Sequence, residues 1–268
     1  MTTWTPISRE KHASAKWRSR ENFHFAADYN AVEVLIAEIP QMLPHYVLGF
    51  IESAGGYQLA ALLGLGGDKN LYLNNSQQWM CEIVPASLRG YPFALIKTEG
   101  QDEKILCIDQ DYLTDSSDET PIFLEAGDLA EGTSGVLEFL QKCDQERIRT
   151  AEACSSLSEA GLLEPWPISI QLTEGEDSAK IEGLYRIDEE RLYSLSDSQL
   201  ASIRDSKGLL LAYSQLLSIN QLNSLGRRAE ILGAELVQNE KNKQELAAVF
   251  SDDSGTINFE SLDINDPQ

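Results

Sequence analysis

WMCEIVPASLRGYPF, residues 79–93, concentrates aromatic rings, two prolines and a lone Arg89 between two apolar, turn-rich regions. Upstream, VLGFI (47–51) and QLAALLGL (58–65) read as strands, with SAGGY and GGDKN as turns and LYL (71–73) as a third short strand. Glycine and asparagine reach positive φ cheaply, so these turns suit hairpins. Downstream, PFALIK (92–97) and KILCID (104–109) read as two strands around TEGQDE. Within the stretch itself, WMCEIV forms a helical turn, and Pro85 opens a short helix, PASLRG, that Gly90 ends. The stretch is therefore expected to join two groups of strands.

Further outward the period changes. From Ser134 to Ala160, Leu137, Leu140, Ile148, Ala151, Cys154 and Leu157 recur at helical spacing, with Gly161 as C-cap and Pro165 and Pro167 beyond it. ISIQL (168–172), AKIEGLYRI (179–187) and RLYSL (191–195) read as a second strand group joined by TEGEDS and DEE, and PIFL (121–124) as a further strand. Ser196 and Gln199 fit a capping box that opens a short helix through Ile203. A long helix follows from Lys207, its seam continued by Leu222, Leu225, Ala229, Leu232 and Leu236. The predicted fold class is α+β, with antiparallel strand groups, packed helices and a long C-terminal helix. Residues 1–30 read as a polar and aromatic arm, 31–237 as a single α+β domain, and 238–268 as an acidic tail expected to be mobile. A split near residue 160 is the alternative.

Charge narrows the function classes. The 268 residues carry a net charge of -22, which argues against nucleic acid and anionic membrane surfaces as partners. The acidity is uneven. Residues 1–22 hold Arg9, Lys11, Lys16, Arg18 and Arg20 against Glu10 and Glu21, whereas Lys97–Glu131 holds eleven acids against two lysines. The N-terminus is expected to fold back on this acidic body or to contact a partner. No apolar run approaches the ~20 residues of a membrane span, and the first residues lack the apolar core of a secretory signal. Cys81, Cys107, Cys143 and Cys154 are scattered in apolar contexts, as buried free thiols are, and suit a reducing, cytoplasmic setting.

Residue patterns for chemistry are sparse. His12, His24 and His45 form no HxH or HExxH pair, so no metal site is expected. His45, after Pro44 at the head of a strand, reads as a hydrogen-bonded structural histidine, with a site role open through its tunable pKa. GxSxG is absent. GLGGDKN (64–70) lacks the GK[ST] ending of a phosphate loop and reads as a hairpin turn. Asp109 and Asp111 share a strand face and pose a cation pair against a solvated acidic loop. FSDDSGTINFES (250–261) lacks both outer carboxylates of a calcium loop. Arg89 has two readings: a ligand anchor beside Trp79 and Tyr91, or an internal ion pair with an acid such as Glu82.

The order of motifs resembles a known family. LLGL, GGDKNLYL, Trp79, VPASLRGYPFAL, LCID and IFL are followed by GLLEPWPISI, IEGLYRIDEERLYSLSD and LLLAYSQLLSINQLNSL. Over residues 35–225 this is similar to the SapC-like family of bacterial proteins, with VPASLRGYPF and GLYRIDEERLYSLSD the most specific pieces. The resemblance excludes neither an enzyme nor a binder, because the family offers no catalytic residues to carry over. The family name comes from surface-layer association, and its members occur near flavin-dependent halogenase-like proteins. The peptide-transporter permease that shares the name is not matched, since it spans membranes. The leading expectation is a non-catalytic accessory or binding protein with no cofactor, acting on an unknown protein partner such as a halogenase-like flavoprotein. Its candidate ligand- or partner-binding residues are Trp79, Arg89, Tyr91 and His45. The alternatives are an enzyme or enzyme subunit working with such a flavoprotein on an aromatic or peptide substrate, and a surface-layer structural component.

Overall fold

The computed structural model describes residues 2–66, 69–97, 103–170 and 179–250. In chain order the first elements are β1 (Trp4–Pro6), α1 (Arg9–His12), β2 (Lys16–Trp17), β3 (Ala31–Glu33), α2 (Ile39–Met42), β4 (Leu48–Ser53) and β5 (Gly56–Leu62). Then come α3 (Ala86–Arg89), β6 (Phe93–Lys97), β7 (Lys104–Asp109), β8 (Leu113–Thr114), β9 (Thr120–Pro121) and α4 (Glu131–Glu159). The last are β10 (Leu163–Pro165), β11 (Ile168–Ile170), β12 (Ala179–Ile181), β13 (Leu184–Ile187), α5 (Glu189–Tyr193), α6 (Asp197–Asp205), α7 (Gly208–Ser218) and α8 (Leu222–Phe250). The fold is α+β, and its strand pairs are antiparallel.

The central sheet has the order β10-β13-β4-β5-β3. Its nucleus is the β4–β5 hairpin, in register from Leu48↔Ala61 to Ser53↔Gly56. Gly56 closes the turn at a φ of 113°, where a side chain would be strained. Leu48, Phe50, Leu59 and Ala61 are fully buried on one face of this hairpin. The helix α4 lies on β5, and α7 lies on β4 and β13. Cys154 and Leu157 of α4 enter the same core as expected, joined by Ala153, whereas Ile148 and Ala151 of the expected seam are exposed, because the buried face of α4 runs through Thr150 and Ala153 instead. Two buried polar side chains pin α7 to the sheet. Gln215 Oε1 accepts from Ile187 N at 3.0 Å, and Ser218 Oγ accepts from Leu48 N at 2.9 Å, so strand-end N–H groups removed from water keep partners.

A second core sits beside it. It gathers Trp17, Tyr91, Phe93, Ile108, Tyr112 and Ile122 between the sheet β1-β7-β6 and the small sheet β8-β2-β9. The N-terminal residues therefore supply strands to both of these sheets. Their cations meet the acidic stretch through backbone oxygens: Arg9 donates to Ala126 O, Lys16 to Ser117 O and Arg18 to Asp111 O. Carbonyls thus receive these cations of the basic N-terminus.

Several local readings change. LYL is not a strand; Leu73 makes only an isolated bridge to Trp79. WMCEIV is irregular rather than helical. PIFL contributes only Pro121 to β9, and Phe123 bridges Leu129 instead. RLYSL is mostly the helix α5, because Asp188 Oδ1 caps Arg191 N at 2.9 Å and Glu189 and Glu190 fill the first turn. AKIEGLYRI breaks at Gly183, whose φ is 81°, into two strands of different sheets. The helix from Lys207 is interrupted by a 3-10 turn at Ile219–Gln221, after which α8 runs on to Phe250. Within α4 the first turn begins three residues earlier than the periodicity, at Glu131, where Trp17 Nε1 donates to the buried Thr133 Oγ1 at 3.1 Å. The expected tail beyond Phe250, the calcium-loop-like FSDDSGTINFES after its first residue, TEGEDS, and parts of the GGDKN and TEGQDE turns lie outside the described residues.

Candidate binding site

The 79–93 stretch joins the two cores. Trp79 packs against the central core, whereas Tyr91 and Phe93 belong to the second. Between them runs a relay of rings. Tyr46 stacks on Tyr72 at 4.6 Å, Tyr72 on Trp79 at 5.9 Å, and Trp79 meets Phe23 at 5.3 Å. Phe23 meets Phe25 at 6.0 Å, and Phe25 stacks on Tyr91 at 3.8 Å. Such ring pairs add to ordinary apolar burial and fix relative orientation.

Polar groups lock each end. Trp79 Nε1 donates to Tyr46 Oη at 3.0 Å and to Ile83 O at 3.1 Å, and the Tyr46 hydroxyl donates to the same Ile83 carbonyl. The Tyr91 hydroxyl donates to Asp109 Oδ2, and Asp109 is itself buried. Burial and this carboxylate push the Tyr91 phenol well above its ordinary value. In the middle stands Glu38, 6% exposed. Its Oε1 accepts from Leu35 N at 2.9 Å and its Oε2 from Ala86 N at 2.8 Å, the N-terminus of α3. Burial raises the Glu38 carboxyl, against the lowering influence of those two N–H groups and of Arg89.

Arg89 sits at the end of α3. Its Nη2 lies 3.9 Å from Glu38 Oε2, its guanidinium rests 5.2 Å over Phe139, and its side chain is 46% exposed. The acid near it is thus Glu38, not Glu82. His45 is half-buried, and its carbonyl accepts from the Tyr72 hydroxyl at 2.8 Å, so it supports the ring relay through its backbone. Asp109 and Asp111 do not form a cation pair in geometry: Asp109 is committed to Tyr91 and to the Asp111 N–H, while the Asp111 side chain is exposed.

Beside Arg89 opens a cleft of about 410 Å³. Trp17, Phe23, Tyr91 and Phe93 form its walls, and Arg20, Arg89 and Glu21 supply its charges. Arg20 is the residue that sequence reading counted only as one of several basic side chains. Its Nη1 donates to Arg89 O at 3.0 Å and Tyr91 O at 2.8 Å, and its guanidinium lies 4.8 Å over Phe23. Glu38 was also missed, although an acid inside the apolar run VLIAEIP was a usable signal. Of the four sequence candidates, the cleft brings Arg89 and Tyr91 together. Trp79 reaches it through Phe23, and His45 does not line it.

Residues 7–225 match the SapC family. The chain belongs to the SapC family. The match takes in every residue of the cleft and most of both cores, Leu232 of the central core lying beyond it. No curated protein and no solved structure matches the chain. Among the described residues of this SapC protein, no helix is long and apolar enough to cross a membrane, and no cluster of three metal-ligating side chains occurs.

Proposed function

We propose that this SapC family member is a non-catalytic binding protein that takes a flat apolar group, on a small molecule or on a partner protein, into the cleft beside Arg89 and Tyr91. The observation that supports this is the cleft itself. It is walled by aromatic rings and open to solvent, and Trp17, Tyr91 and Phe93 are held in place by their packing in the second core. Its walls are rigid because Tyr91 is fixed by Phe25 and Asp109, and Trp17 by Thr133. Preorganised aromatic walls bind flat groups at small entropic cost. Arg89 serves as the anchor at the rim, with Trp79 and His45 as supports behind it. The reading extends to a cytoplasmic accessory role, which free cysteines at all four positions favour, with a halogenase-like flavoprotein as the first partner to test.

The test is titration of the full chain with the neutral probe 2-naphthamide, followed by tryptophan fluorescence and amide NMR shifts. Saturable shifts at Phe23, Tyr91 and Phe93 are expected, and Ser19→Trp, which fills the cleft from its rim, should abolish them. Arg89→Ala should weaken partner binding at least several-fold while moving the thermal midpoint little, because its ion pair is solvent-screened. Absence of saturable binding to the wild type would overturn the reading.

A further inference from the structure

Arg9 and Arg18 each donate to one backbone carbonyl, whereas Arg20 donates to two. Both hydrogens of its Nη1 are held by the carbonyls of Arg89 and Tyr91, and Phe23 lies against its face. A guanidinium has five N–H donors in a planar fork. With Nη1 clamped, the plane of the fork is set, and its Nε and Nη2 donors have no hydrogen-bond partner among the described residues. No carboxylate pairs with Arg20 among the described residues either. Arg147, Arg149, Arg186 and Arg204 all find an acid at 3.2 Å or less. Arg9, Lys16 and Arg18 likewise donate to carbonyls rather than to an acid; Arg20 differs from them in lining the cleft beside Arg89, in a chain where acids outnumber bases 43 to 21.

The cleft around it is positive against that background. Arg20 and Arg89 line it, and Glu21 is the one acid among its lining residues. Glu38, the acid nearest Arg89, has both oxygens occupied by backbone N–H groups. The rest of its lining combines the aromatic rings already described with Pro92, Val136 and the polar Ser19 and Asn22. A fixed guanidinium fork recognises carboxylates bidentately, and its strength rises where neighbouring rings exclude water.

We infer that the cleft selects an organic anion, a carboxylate carried on a flat apolar group, with Arg20 as the residue that receives it. This rests on the proposed binding role of the same cleft and adds the charge of the ligand. The carboxylate has two sources, a free small acid or the C-terminus of a peptide that ends in an aromatic residue.

The experiment compares 2-naphthoate with its neutral isostere 2-naphthamide on the full chain by NMR titration. The acid should bind on the order of tenfold more tightly, as charge-assisted hydrogen bonds do, and should shift the Arg20 Nε–H resonance. Arg20→Gln should bring the two affinities within about twofold, while retained 2-naphthamide binding shows that its cleft is intact. The wild-type comparison decides even if that variant does not fold. Equal wild-type affinities overturn the carboxylate inference and leave the apolar cleft standing, whereas binding of neither probe overturns both. A second arm uses N-acetyl-Gly-Gly-Phe as acid and as amide. A preference for the acid supports the inference, and its affinity relative to 2-naphthoate assigns the source.

Discussion

Removing the Glu38 carboxylate should cost this protein a large share of its stability. Glu38→Ala leaves two buried donors, Leu35 N–H and Ala86 N–H, without the oxygens that hold them at 2.9 and 2.8 Å. Each hydrogen bond to a charged acceptor is worth about 1.5–3 kcal/mol. The 3.9 Å approach of Arg89 adds little, since that side chain is half in water. Part of the gain is returned, because the charged carboxylate no longer has to be desolvated. The expected loss is therefore about 3–5 kcal/mol, read as the fall in unfolding free energy in urea at pH 7. Glu21→Ala, at an exposed position, is the control and should change stability by less than about 0.5 kcal/mol. A Glu38→Ala loss under about 1 kcal/mol would refute the argument, since it would mean that water replaces the carboxylate freely. pH gives a second handle. Burial raises the Glu38 carboxyl above its ordinary 4.5, so the folded state holds this proton more tightly than the unfolded state. The resulting stability is fully present below 4.5 and is lost as pH rises through the folded-state value. Wild type should consequently gain on Glu38→Gln as pH falls from 7 toward 4.5, and a flat difference would sink the burial explanation.

Tyr91→Phe removes the hydroxyl that donates to the buried Asp109, and should cost about 1–3 kcal/mol by chemical denaturation; a change below about 0.5 kcal/mol would show that Asp109 does not depend on it. Burial pushes the Tyr46, Tyr72 and Tyr91 phenols upward, so in a spectrophotometric titration these three should stay protonated at a pH where free tyrosine ionises. The stability from these raised groups is complete below their ordinary 10.0 and lost as pH rises beyond it, so their ionisation should coincide with alkaline unfolding. Nine tyrosines ionising together in the folded state would contradict this. With Ellman's reagent the native protein should show one accessible thiol, the half-buried Cys81. Cys107, Cys143 and Cys154 should react only on unfolding, since all three are buried and burial pushes Cys154 up to about 12. More than one fast thiol without denaturant would break that assignment.

Local signals in the chain were sufficient for the elements that are decided locally. The β4–β5 hairpin follows from apolar runs around a glycine turn, and β6 and β7 fall within one residue of their apolar runs. The Ser196–Gln199 capping box is present as read, with Ser196 N donating to Gln199 Oε1 at 3.1 Å. Gly161 ends its helix at a φ of 64° for the reason anticipated, that only glycine adopts this conformation without strain. Where reading failed, a nonlocal partner or a competing cap decided. RLYSL has strand-like residues, but Asp188 offers its N–H groups a cap and the helix wins.

The 79–93 stretch shows the same division. Sequence alone determined that it marks the family and that it joins two strand groups, and it left Arg89 between a ligand anchor and an ion pair with an acid such as Glu82. Only the tertiary structure decided what surrounds it. Glu38 comes from forty-eight residues before Ala86, and Arg20 from seventy-one residues before Tyr91. Those approaches depend on how the sheets stack, and neither residue type nor spacing records them. The ring relay is of the same kind: Phe23 and Phe25 are unremarkable in an aromatic-rich N-terminus, yet they connect Trp79 to Tyr91. The physical reason is that burial and hydrogen bonding act on distance in space, whereas periodicity and turn chemistry act on distance along the chain.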